Sequence, residues 1–182
     1  FANTAKRLKL ADCKWLRWSM TEEQIAGLIG DADVYFMRLN EQAPKILETL
    51  KASGKPIVLD IDDKYEDINP LSDHYRYLGT AEVKLGDGSY LWKKGKGDFD
   101  PDRNAKRLAG YEKVMREVDA IIVTTLKLRT YALQFNPNVV VIPNAIDTHL
   151  FPDRRPTADG RVRIVWGGGS SHYEDLAEIK PV

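Results

Sequence analysis

Apolar residues along this chain fall into two arrangements, short continuous runs and longer stretches in which they recur every three or four positions. The runs at 33–38 (DVYFMR), 56–60 (PIVLD), 119–124 (DAIIVT) and 139–142 (VVVI) are rich in strand formers and predict neighbouring parallel strands. The helical stretches lie between them. Ile25, Leu28 and Ile29 share a face behind Thr21, Gln24 stands at capping-box spacing and Gly30 supplies a stop, so a helix is predicted near 21–29. Asn40 is expected to cap a second helix, in which Ile46, Leu47 and Leu50 align before Ser53-Gly54. Asp100-Pro101 forms a cap and first-turn pair for a long helix with Leu108, Tyr111, Met115 and Val118 on one face. Thr125 caps a last one, aligned through Leu128, Ala132 and Phe135 and stopped by Asn136-Pro137-Asn138. The run at 56–60 is continuous rather than alternating, which predicts a strand buried on both faces.

Strand and helix thus alternate, and the fold class that follows is α/β, a Rossmann-like parallel sheet with helices on both faces and right-handed crossovers. Residues 1–143 read as one such domain with an insertion at about 64–100, where no helical period is visible and an insertion of this length is usually functional or mobile. Within it, Asp87-Gly88-Ser89 predicts the turn of a small hairpin, and 76–99 is expected to be the least protected internal stretch. Residues 144–160 carry prolines and no apolar period and read as a connector. At 161–182 the sequence VRIVWGGGSSHYEDLAEI restarts a strand, glycine loop and helix, the beginning of a second unit of the same kind.

Composition narrows the classes of partner. The 182 residues hold 27 basic and 27 acidic side chains, so no global field draws nucleic acid or an anionic membrane, and no clear nucleic-acid patch is seen. Charge is uneven only locally: Lys6, Arg7, Lys9, Lys14 and Arg17 crowd the first residues, and acids crowd 60–73. Cys13 is the sole cysteine, which excludes an internal disulfide and fits a reducing, cytoplasmic setting. No apolar run approaches the length of a transmembrane segment. The chain opens on Phe1 and closes just after a predicted helix, so a longer parent is expected.

Two places carry candidate chemistry. Gly167, Gly168 and Gly169, followed by Ser170 and His172, lie between a predicted strand and helix, where free backbone N–H groups favour a phosphate. No Gly-Lys-Ser/Thr follows, and His172 stands where a dinucleotide fingerprint needs its third glycine. Asp60, Asp62 and Asp63 stand at the carboxyl end of a strand, the rim on which open α/β sheets bind ligands. Three accounts of them remain open: a solvated strand end, an oxygen site for a hard cation, or the nucleophile motif of haloacid dehalogenase-like phosphatases built on Asp60 and Asp62, with Lys64 where that motif has threonine.

The succession DAIIVTT, a helix, NVVVIPNAID with Phe151 downstream, a connector and VRIVWGGGSSH resembles the retaining nucleotide-sugar glycosyltransferases of the GT-B fold, close to the glycogen synthase and sucrose synthase type. The resemblance covers roughly residues 30–178, and Pro143-Asn144-Ala145-Ile146-Asp147 is its most specific piece. It implies that the first domain holds the acceptor, that Asn144 and Asp147 border the interdomain cleft, and that Gly167–Gly169, Ser170 and His172 face the donor diphosphate. It also implies that Asp62, with Asp60 and Asp63, stands at or near the place of the family's active-site histidine. The donor would be a nucleoside diphosphate sugar, the acceptor is unspecified, no cofactor is required, and a divalent metal is not expected. The Arg or Lys that the family has after the glycine loop is absent. A non-catalytic Rossmann-like binding or structural module is the alternative from another class.

Overall fold

A computed structural model describes residues 22–30 and 32–145. Helix α1 (Glu22–Ile29) leads into strand β1 (Tyr35–Arg38), helix α2 (Ala43–Ala52) and strand β2 (Ile57–Ile61). After a single 3₁₀ turn (Tyr65–Asp67) come the short helix α3 (Tyr75–Leu78), strands β3 (Val83–Lys84) and β4 (Tyr90–Trp92), and the long helix α4 (Pro101–Glu117). Strand β5 (Ala120–Val123), helix α5 (Leu126–Ala132) and strand β6 (Val139–Val141) complete the described part. All four predicted strands are present. They form one parallel sheet in the order β1-β2-β5-β6, flanked by helices in a Rossmann-like arrangement.

The helix boundaries follow from local hydrogen bonding. Asp100 Oδ1 accepts the N–H groups of Asp102 and Arg103, and Thr125 Oγ1 accepts that of Leu128, so both predicted caps satisfy donors that a helix end leaves open. Asn40 behaves differently. Its Oδ1 accepts from the N–H groups of Gln42 and Ala43 at 2.9 and 3.1 Å, which shapes the turn into α2, and the helix itself begins at Ala43 with Pro44 in its first turn. The last helix is shorter than its apolar stripe: the N–H groups of Phe135 and Asn136 both turn back to the Ala132 carbonyl beyond its end.

The core lies on one face of the sheet. Tyr35, Met37, Ile57, Leu59, Ile61, Ile121, Val123 and Val139 alternate along their strands and pack with Ile29 of α1, Leu47 and Leu50 of α2, Leu108, Val114 and Met115 of α4 and Ala132 of α5. Asn136 fastens α5 to α4: it is 3% exposed and its Nδ2 donates to the carbonyls of Met115 and Val118. The strand at 56–60 is therefore not buried on both faces. Its pattern alternates, with Val58 and Asp60 only half-buried, and Phe36 and Val140 on the same side are each 53% exposed. The sequence predicts helices on both faces; among the described residues they pack on one, because three successive crossovers step in the same direction across the sheet and a constant hand keeps their helices together.

The insertion has its own order. β3 and β4 pair antiparallel about the Asp87-Gly88-Ser89 turn, where Gly88 takes φ +87° and Asp87 Oδ1 accepts the Ser89 N–H. Phe99, fully buried, stacks with Tyr75 and contacts Trp92, whose indole N–H donates to the Pro70 carbonyl. Asn104 of α4 holds the unit down through 3.0 and 2.8 Å bonds to the Arg76 and Gly79 carbonyls. A stretch without helical period is here a small aromatic cluster.

Candidate functional site

Parallel register alone assembles the charged group at the carboxyl rim. Arg38, the last residue of β1, lies opposite Asp60 of β2. Because side chains alternate, both project from the face that carries Phe36 and Val58, away from the core. One guanidinium then serves two carboxylates: Arg38 Nη2 donates to Asp62 Oδ2, and its Nε stands 3.8 Å from Asp60 Oδ2. The bond to Asp62 raises the affinity of Arg38 for its proton. The side chains of Arg38, Asp60 and Asp62 are 61%, 45% and 38% exposed, so oxygen lone pairs not engaged by Arg38 remain accessible to a ligand.

Aromatic residues anchor the turn that follows β2. Tyr65, in the 3₁₀ turn, packs edge-on against Tyr111 of α4 with ring centroids 5.4 Å apart. Burial, reinforced by the charges of Asp62 and Asp63, pushes its phenol up to about 12. Tyr131 of α5 donates to Glu66 Oε1 at 2.6 Å, and burial with that bond raises its phenol further. Lys64 pairs with Asp67 at 2.8 Å, and its ammonium lies 5.4 Å from the Tyr131 ring centre. The turn after β2 is thus fixed to α5, which limits where Asp62 and Asp63 can move. Asp63 is exposed, and its charge helps raise the Tyr65 phenol.

No family model, curated protein or solved structure matches this chain. The site must be read from its own geometry.

Of the residues singled out from sequence, Asp60 and Asp62 come together. Asn144 is exposed just beyond β6, at the carboxyl rim of the sheet. Asp147, Gly167, Gly168, Gly169, Ser170 and His172 lie outside the described residues. Arg38, Tyr65 and Tyr131 were not legible as site residues. The available signal for Arg38 was a cation closing an otherwise apolar strand next to the one that ends in acids. Among the described residues no group of three or more His, Cys, Asp or Glu side chains is disposed to hold a metal ion. A guanidinium already bridges the pair of carboxylates that a hard cation would need.

Two concave clefts open elsewhere. One is lined by Ala26, Ile29, Gly30, Thr49 and Ala52, the other by Lys51, Lys55, Ile57, Glu117 and Asp119, both at the amino end of the strands. In the second cleft Lys51, Glu117 and Asp119 are engaged within the fold. Lys51 pairs with Glu117 at 2.6 Å, and Asp119 Oδ2 accepts the Ile57 N–H at 2.7 Å, so these groups tie α2, β2 and α4 together.

Proposed function

We propose that this chain is the acceptor-side domain, with the start of a donor domain, of a GT-B glycosyltransferase that moves a sugar from a nucleoside diphosphate sugar to an acceptor. The observation that carries the reading is the Arg38-Asp60-Asp62 group on the carboxyl rim of adjacent parallel strands, the side of an open α/β sheet where ligands bind. The resemblance at Pro143–Asp147 and in the glycine loop supports it from sequence.

On this reading each group has a task. A carboxylate accepts hydrogen bonds from two hydroxyls at once, so Asp62 orients a sugar or acceptor hydroxyl while Arg38 holds the carboxylate in place. Charge developing on the departing diphosphate is met by backbone N–H groups of residues 167–169, in the manner of an anion bound at a helix start. Tyr65 stays protonated at neutral pH and offers a donor at the edge of the group. The phosphatase alternative is less well served, because the Asp62 carboxylate that would have to reach the leaving group as general acid is already engaged by the Arg38 guanidinium.

The test is release of nucleoside diphosphate from a panel of nucleoside diphosphate sugars by the full-length parent, with and without simple glycoside acceptors. Acceptor-dependent release is expected for at least one donor. A folded parent that neither binds nor turns over any of them is a binding or structural module instead.

A further inference from the structure

The insertion turns part of its aromatic surface outward. The Arg76 guanidinium carbon stands 6.0 Å from the ring centres of both Tyr77 and Trp92, and Tyr77 is 45% exposed. Two residues before Trp92 on β4, the Tyr90 ring has the Lys84 and Lys93 ammonium groups at 5.9 and 5.1 Å. Alternate residues of a strand share a face, so Tyr90 and Trp92 set these cations along one run of rings. Nearby acids answer other groups. Asp87 accepts from the Ser89 N–H and hydroxyl, Glu82 accepts the Lys94 N–H, Asp102 pairs with Lys94, and Asp100 caps α4. Among the described residues no carboxylate pairs with Arg76, Lys84 or Lys93.

Arg76 is the anchor of this face. Its Nε is buried without a partner, while Nη1 and Nη2 reach the surface and have none among the described residues. Two rings thus steady a guanidinium whose outward fork of donors is unused, the arrangement that recognises an oxyanion. Arg107 differs. It donates through Nη1 to the Tyr77 carbonyl at 2.7 Å and through Nη2 to Glu41 at 3.0 Å, a strut that fixes Tyr77. The same strut connects the face to the rim group, since Glu41 lies three residues beyond Arg38, and Tyr111, one turn after Arg107 on α4, packs on Tyr65. We propose that Arg76, Tyr77, Lys84 and Lys93 bind a phosphate-bearing ligand, its oxygens on the Arg76 fork and its organic part against the Tyr77 ring. A phosphate monoester carries more than one negative charge, so it gains more than a carboxylate from the field of Lys84 and Lys93. For the glycosyltransferase, and this step rests on that reading, the acceptor is then a phosphorylated one.

The test follows amide signals of the full chain during titration with glucose 6-phosphate and with inorganic phosphate at constant ionic strength. Saturable shifts are expected at Arg76, Tyr77 and Trp92, with glucose 6-phosphate the tighter of the two because it adds contact with the Tyr77 ring. Arg76→Gln, which removes the fork and its charge, should weaken glucose 6-phosphate by about tenfold or more, whereas Lys113→Gln, at a cation already paired with Glu48, should change it by less than about twofold. Should Arg76→Gln loosen the insertion, seen as lost exchange protection at Phe99, the double variant of the exposed Lys84→Gln and Lys93→Gln carries the test, with an expected loss of about threefold. Equal losses in Lys113→Gln and Arg76→Gln would reduce the effect to general screening and overturn the proposal, as would shifts scattered away from the insertion or none at all. A nucleoside diphosphate that shifts the same amides at lower concentration than glucose 6-phosphate would give the face to a donor and overturn the acceptor assignment. If the full-length parent transfers no sugar to any acceptor while glucose 6-phosphate still binds through Arg76, the glycosyltransferase reading fails and the binding site stands.

Discussion

Replacing Asp62 with Asn separates the two roles a rim carboxylate can have. The substitution keeps the side-chain shape and removes the charge that Arg38 meets. Its cost to folding follows from exposure and from what remains. Asp62 is 38% and Arg38 61% exposed, in the range where ion pairs contribute at most about 1 kcal/mol. Arg38 also keeps Asp60 at 3.8 Å, so no buried charge is stranded. Urea unfolding should therefore move by less than about 1 kcal/mol, a shift of roughly 2–4 °C in Tm at most for a domain of this size. Catalysis should respond on another scale. If Asp62 accepts a hydroxyl hydrogen bond that strengthens in the transition state, kcat of the full-length parent should fall by about 10² or more, with a smaller change in KM. Wild-type turnover in Asp62→Asn refutes the assignment. A loss of more than about 3 kcal/mol of stability would instead show that the carboxylate is structural.

Three further outcomes test the architecture around the rim. The Tyr65 phenol is raised to about 12 by burial and by Asp62 and Asp63; an unfolded tyrosine ionises near 10, so the stability it contributes is complete below about pH 10 and is lost as pH rises through 12. Tyr65→Phe should flatten the fall in stability between those limits, and an unchanged slope would refute the burial argument. Gly79→Ala should destabilise the insertion by about 1–3 kcal/mol although its φ of −66° suits any residue, because the added methyl would strike the Tyr75 ring; weakened exchange protection at Phe99 with an intact β5 is the readout. Leu59→Ala, at a fully buried position of β2, should cost about 2–5 kcal/mol by urea denaturation, and a cost below 1 kcal/mol would mean that the core is not centred there.

The parallel sheet was legible because its strands are short β-rich runs set between capped helices, and Asp100 and Thr125 cap as their spacing implies. Strand burial was not, because Val58 and Leu59 are equally apolar while only a partner's position tells which one faces water. The aspartates were found from their place at a strand end. Arg38 was missed since its meaning depends on pairing with Asp60 across 22 residues, which no local pattern encodes. The insertion lacked a helical stripe because its aromatic residues meet one another from three separate pieces of chain, Tyr75, Trp92 and Phe99.

That insertion also governs how the chain reaches its native pairing. β1 meets β2, and β5 meets β6, across loops of some twenty residues, whereas Ile57 meets Asp119 across 62. Each doubling of a closed loop adds only about 0.6 kcal/mol of closure entropy, so the penalty in equilibrium terms is slight. In kinetic terms it falls on a single event, the joining of two pre-formed halves, since distant contacts slow folding more than they weaken the product. The cluster around Phe99 holds residues 70–104 of that excursion together, so if it forms early it shortens the loop left to close. Residues far from the rim would then set the rate at which the rim comes into existence.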